Sequence, residues 1–121
     1  MKTSELQGAA LDWAVSKCEG YTYEIDRDEC WLNHRGRPNT NLTDYCPSNN
    51  WELGGPIIER TGIQIKKHPS DWIALPEDAE FSEEAYQQGP TPLIAAMRCY
   101  VASKLGDEVE IPEELTEGEV Q

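Results

Sequence analysis

The sequence predicts an α+β fold in which two main helices, over about residues 4–19 and 92–105, pack on a small, mostly antiparallel sheet. Three observations carry this. Apolar residues recur at helical spacing near both ends of the chain, short β-branched or aromatic runs lie between them, and a stretch rich in turn residues separates those runs.

The first helix is read from TSELQGAALDWAVSKCEG. Ser4 and Gln7 fit a capping box, Gly20 fits a terminator, and Leu6, Ala9 or Ala10, Trp13, Ala14 and Lys17 repeat at the helical period. Tyr21 to Ile25 then alternates aromatic or β-branched with polar residues, which reads as a strand. Residues 33–50, NHRGRPNTNLTDYCPSNN, form a long central loop, a feature more often functional than accidental in a compact domain. Pro56, after Gly54 and Gly55, suits the first position of a short helix near 56–61 that stops at Gly62. Ile63 to Ile65 and Trp72 to Leu75 read as two more strands. The acidic stretch from Pro76 to Gln88 offers at most a turn of helix.

The last helix has the clearest bounds. Thr91 can cap it, Pro92 has no amide hydrogen to leave unpaired at its first position, and Gly106 suits the residue that ends it. Leu93, Ala96, Met97, Tyr100, Val101 and Leu105 form one apolar stripe, and the partner expected for it is the first helix. Gly8, Ala9 and Ala10 on one helix and Ala95, Ala96 and Ala102 on the other would let the two axes approach closely.

At 121 residues the chain suits a single globular domain, placed at 1–106, with an acidic and flexible tail over 107–121. Seven acidic residues and no Lys or Arg follow Lys104, so about half of the net charge of −13 lies there. That balance argues against general nucleic-acid binding, which needs clustered Lys and Arg. An acidic surface serves solubility, or imitates nucleic acid in a basic protein's groove. No apolar run is long enough for a membrane span, and the first residues read as a polar helix start rather than a leader, so a soluble cytosolic protein is expected.

The long loop runs into SNNWELGGPIIERTG, where flat rings and uncharged hydrogen-bonding groups gather. Tyr45, Ser48, Asn49 and Trp51, with Gly54 and Gly55 allowing close backbone approach, suit a small polar ligand with an aromatic part, such as a nucleotide. A turn at Gly-Gly-Pro and a core role for Trp51 are the plainer reading. Thr91 joins the candidates if the helix starts at Gly55-Pro56 and Thr91-Pro92 converge on one ligand. Arg98 joins them as an anion anchor, against the alternative that it snorkels outward or forms a salt bridge.

Cys30, His34, Cys46 and His68 lack the close Cys pair of a recognisable zinc site, so no metal is assigned. Cys18 and Cys99 fall on the two helices, where a thiol serves as a small buried hydrophobe, and all four cysteines are expected reduced. No nucleophile stands beside a base, and 23 acidic residues make any carboxylate pair uninformative. No catalytic residue and no cofactor are therefore assigned, and an enzyme is the most remote reading.

Taken together, TSELQGAALDWAVSKCEG, PSNNWELGGPIIE, the Trp of DWIA and GPTPLIAAMRCYVASKLGDEVEIPEEL resemble the NinX-like family of phage proteins, found in tailed phages and prophages of enteric bacteria. The resemblance spans nearly the whole chain and is least evident from Glu24 to Thr43. It implies expression in the host bacterial cytoplasm and an accessory role in the phage programme, and it brings no catalytic residue. Two function classes stand open. One is a non-enzymatic binder that sequesters a small nucleotide-type host molecule of immune signalling; the other is an acidic protein that binds and inhibits a host protein, as a nucleic-acid mimic or adaptor. Four Trp residues are many for so few elements to cover, so a homo-oligomer is also expected.

Overall fold

The computed structural model describes residues 2–26, 29–33, 40–42, 45–77 and 86–112. Among these, three helices and two three-stranded antiparallel sheets make up an α+β fold. In chain order they are α1 (Gly8–Cys18), β1 (Thr22–Asp26), β2 (Glu29–Asn33), β3 (Thr40–Asn41), α2 (Trp51–Thr61), β4 (Gln64–Lys67), β5 (Trp72–Leu75), β6 (Gln87–Gly89) and α3 (Pro92–Leu105).

Helix α3 has the limits its sequence predicts. The Thr91 hydroxyl accepts from the Ile94 amide at 3.1 Å, Pro92 occupies the first turn, and Gly106 ends the helix at φ 89°. Its apolar surface is wider than one stripe: Leu93, Ala95, Ala96, Met97, Cys99, Tyr100 and Val101 are all buried. The added positions, Ala95 and Cys99, lie one turn apart and reflect a second neighbour. Helix α3 packs against α1 and also against the β4–β5–β6 sheet. Gly89 permits the tight turn from β6, since a Cβ there would meet the Ala95 nitrogen at 2.6 Å.

The predicted first helix is interrupted. A 3₁₀ turn covers Thr3–Glu5, and α1 begins only at Gly8, with no side-chain cap from Gln7 and no box with Ser4. Burial explains the break. Thr3 and Leu6 are both fully buried, the Thr3 hydroxyl and amide bond the carbonyls of Gly106 and Asp107, and Gly8 turns the chain at φ 56°. From Ala10 to Ser16 every residue of α1 is buried, because the helix is enclosed on several sides.

One sheet was expected, and two form. Strands β1, β2 and β3 pair in that order, with Tyr23 opposite Leu32. The second sheet runs β4–β5–β6, with Ile65 opposite Ala74 and Ile73 opposite Gln88. Strand β3 lies inside the predicted long loop, and β6 takes the end of the acidic stretch; residues 78–85 of that stretch lie outside the described residues.

Helix α2 corrects the expected start at Pro56. It begins five residues earlier at Trp51, with the Asn50 side chain accepting from the Glu52 amide at 2.9 Å and Pro56 inside the helix. Gly62, at φ 72°, ends it as expected. An Asn cap that satisfies a backbone amide outweighed the preference of Pro for a first turn.

The core joins these parts. Leu6, Leu11, Val15, Leu32, Ile57, Ala74, Met97 and Val101 belong to one buried cluster, each large side chain contributing roughly 1.5–3 kcal/mol. A polar tie links the three helices: the Glu19 carboxylate, just after α1, accepts from Arg60 of α2 and from the Tyr100 hydroxyl of α3. The chain remains packed beyond α3, with Val109 buried and Ile111 against the core, so the first part of the predicted tail lies on the protein; residues 113–121 lie outside the described residues.

Candidate functional site

Two helix starts meet at a small open hollow of about 180 Å³. Ser48, Asn49 and Trp51 form the side that leads into α2, and Thr91, Pro92, Leu93 and Ile94 form the side that opens α3. Of the two helix starts whose convergence would form a site, Thr91-Pro92 lines this hollow and Gly55-Pro56 does not; Ser48, Asn49 and Trp51 stand opposite Thr91-Pro92 instead.

Gly54 brings the two sides together. A Cβ at this position would lie 2.4 Å from the Pro47 carbonyl oxygen and 2.6 Å from a Leu93 methyl, so only glycine lets the Pro47-Ser48 segment, α2 and α3 close to contact. Gly55 has no such part, since a Cβ there meets nothing nearer than the Trp51 ring at 3.9 Å. Trp51 itself is 55% exposed, one of two large hydrophobic residues that stand out on the described surface. Exposure of a ring this large beside a hollow leaves apolar area available to a ligand.

Ser48 lines the hollow and also faces α1. It is only 3% exposed, and its amide donates to the Asp12 carboxylate on α1 at 2.9 Å. Asp12 is 5% exposed, and burial pushes its carboxyl up to about 6 even though hydrogen bonding from Ser48 favours the charged form.

The remaining hollow-side groups are uncharged. The caps employ the Ile94 and Glu52 amides, and among the described residues no titratable side chain lines the hollow. The first turn of α3 carries no acidic residue, whereas that of α2 carries Glu52, so the positive end of the α3 dipole is the less opposed.

Two candidates lie elsewhere. Tyr45 is buried, with its ring 5.2 Å from that of Tyr21, and burial raises its hydroxyl well above the usual range. Arg98 is half-buried and turned towards backbone: Nε donates to the Leu6 carbonyl and Nη1 to the Gln88 carbonyl, each at 2.8 Å. It neither snorkels freely nor lines the hollow, but ties α3 to the break before α1 and to β6. Cys99 is buried and Cys18 half-buried, and burial pushes both thiols up to about 11, as suits inert core thiols. His34 and the Cys30 side chain lie outside the described residues, while His68 Nδ1 stands 3.2 Å from Asp71 in the β4–β5 turn. Among the described residues no group of three His, Cys, Asp or Glu could hold a metal ion.

A larger hollow of about 280 Å³, lined by Trp13, Ser16, Lys17 and Tyr21 to Tyr23, escaped the sequence reading because it joins the end of α1 to a strand. Its rings are already engaged. Tyr23 stands edge-on to Trp13 at 5.2 Å, and the Lys17 ammonium lies 5.5 Å over the Trp13 ring. The smaller hollow, with Trp51 uncovered, is the stronger candidate.

Comparison with known proteins agrees with the resemblance seen in the sequence. The family described as Bacteriophage P22, NinX matches residues 2–104, which take in both sides of the hollow. No curated protein matches the chain. Among the described residues no helix is long and apolar enough to cross a membrane. With the match running through nearly every described element, the chain belongs to the NinX family of phage proteins.

Proposed function

We propose that this phage protein is a non-enzymatic binder that sequesters a small nucleotide-type molecule of the host, of the kind used in immune signalling. The observation that carries the reading is the uncovered Trp51 ring beside a hollow built between two capped helix starts. A lining of one large ring, hydroxyls, an amide side chain and apolar groups suits recognition. At about 180 Å³ the hollow accommodates one ring system rather than a whole nucleotide. The base would stack on Trp51, and the sugar and phosphate would lie outside, nearer the α3 start than the Glu52-bearing α2 start.

Thermal stabilisation by a broad panel of linear and cyclic nucleotides tests this. At least one should raise the melting temperature, and Trp51→Ala should abolish the shift while leaving the unliganded melting temperature nearly unchanged, because the ring is largely exposed. No stabilisation by any member of the panel would refute the proposal.

A further inference from the structure

The hollow rests on a charge placed where charge is unfavourable. Asp12 lies in the middle of α1, within an unbroken run of buried residues, and reaches across 36 residues of sequence to the amide of Ser48. Ser48 continues directly through Asn49 and the Asn50 cap into Trp51. Just before Ser48, the Pro47 carbonyl sits so close to Gly54 that a Cβ there would lie 2.4 Å away, so the segment is held at two points, Ser48 by the Asp12 carboxylate and Pro47 by the glycine contact.

Among the described residues no cation is arranged against this carboxylate. Arg98 is engaged by the Leu6 and Gln88 carbonyls, and Tyr100 and Arg60 are engaged by Glu19. From the loop before α2, Tyr45 is the titratable neighbour that feels Asp12, and its hydroxyl stays protonated throughout the neutral range. What offsets the burial of Asp12 is hydrogen bonding from Ser48. A buried carboxylate whose partner is the wall of a hollow acts on that wall.

We infer that Asp12 is a positioning residue for the hollow: its ionised carboxylate holds the Ser48 amide and so places the Ser48–Trp51 wall, and uptake of a proton by Asp12 loosens it. This rests on reading the hollow as the binding surface. A hydrogen bond to an ionised acceptor is roughly twice as strong as one to a neutral acceptor, so the wall is held best with Asp12 charged. Because burial raises the carboxyl to about 6, the change falls just below neutrality.

The test uses the full chain labelled with ¹⁵N and followed from about pH 5 to about pH 7.5. The Ser48 and Asn49 amides and the Trp51 indole N–H should shift together with one midpoint near 6. In Asp12→Asn, which keeps an acceptor but no charge, these three signals should stop titrating and stay close to their low-pH positions. Signals that do not share a midpoint, or that titrate unchanged in Asp12→Asn, overturn the inference, and the first of these outcomes is read from the wild type without the variant. Adenosine 5′-monophosphate serves as probe in the same samples. If it perturbs Trp51, Asp12→Asn should weaken its binding by about fivefold at the upper pH, and equal affinity of the two proteins would also count against Asp12. A probe that fails to bind wild type weighs against the proposed function, while the pH titration still decides the role of Asp12.

Discussion

Replacing Asp12 by asparagine should make the protein more stable, and by an amount that grows with pH. Burial raises the carboxyl from its ordinary 3.8 to about 6. At about 1.4 kcal/mol per pKa unit, holding Asp12 ionised in the fold costs about 3 kcal/mol. The sign follows from proton counts. Between pH 3.8 and about 6 the folded protein keeps a proton that the unfolded chain has released, so this contribution to stability falls as pH rises. Below that window both states are protonated and the contribution is fully present; above it both are ionised and it is lost. The amide introduced by Asp12→Asn imitates the neutral carboxyl at every pH, while its oxygen still accepts from Ser48. The expected gain over wild type is therefore about 3 kcal/mol at about pH 7.5 and roughly half of that at about pH 5. Urea unfolding followed by circular dichroism at those two values measures it, both lying above the isoelectric point of about 4.4, where solubility is poorest. A difference between the proteins that does not change with pH would refute the electrostatic argument, whatever its absolute size.

Two further predictions concern the packing that surrounds the hollow. Gly54→Ala should destabilise by about 1–3 kcal/mol, since its Cβ would collide with the Pro47 carbonyl and Leu93, whereas Gly55→Ala should be neutral or stabilise α2 by up to about 1 kcal/mol; thermal melts of the pair compare them directly. Tyr100→Phe should cost about 1–2 kcal/mol by removing a donor to Glu19, and a double-mutant cycle with Arg60→Ala should show coupling between the two, because both bond the same carboxylate oxygen.

What the sequence revealed depended on how local the determining physics was. The limits of α3 were legible because a cap, a first-turn proline and a terminal glycine act within a few residues of one another or of the helix ends. The start of α2 was obscured by a conflict of local signals, Asn50 against Pro56, in which the Asn50 cap prevailed. The division into two sheets was not legible, because pairing Ile73 with Gln88 and Leu32 with Thr40 joins segments whose local patterns say nothing about partners. Of the candidate site, Ser48, Asn49, Trp51 and Thr91 could be picked out as polar and aromatic groups at helix starts. Tyr45 and Arg98 looked equally suitable by residue type, and only burial and hydrogen bonding remove them from the hollow. Asp12 passed unnoticed among 23 acidic residues, although Leu11 and the Trp13-Ala14-Val15 run enclose it in an apolar stretch where a carboxylate is unexpected.

That misplaced carboxylate is the best argument for where function lies. An amide or apolar residue at position 12 would satisfy the core at lower free energy, so stability alone does not account for Asp12. The contact that offsets its burial is with Ser48, which stands between α1 and the hollow. Trp51 runs against stability in the same sense, being left uncovered on a helix that buries Ile57 on another face. Local departures from the rules of folding gather at functional sites, and here two of them, a buried charge and an exposed ring, bear on one short segment from Ser48 to Trp51. The smaller hollow thus has two such departures acting on one segment, whereas the larger one beside Trp13 has a single exposed ring, Tyr23, which already packs edge-on to Trp13.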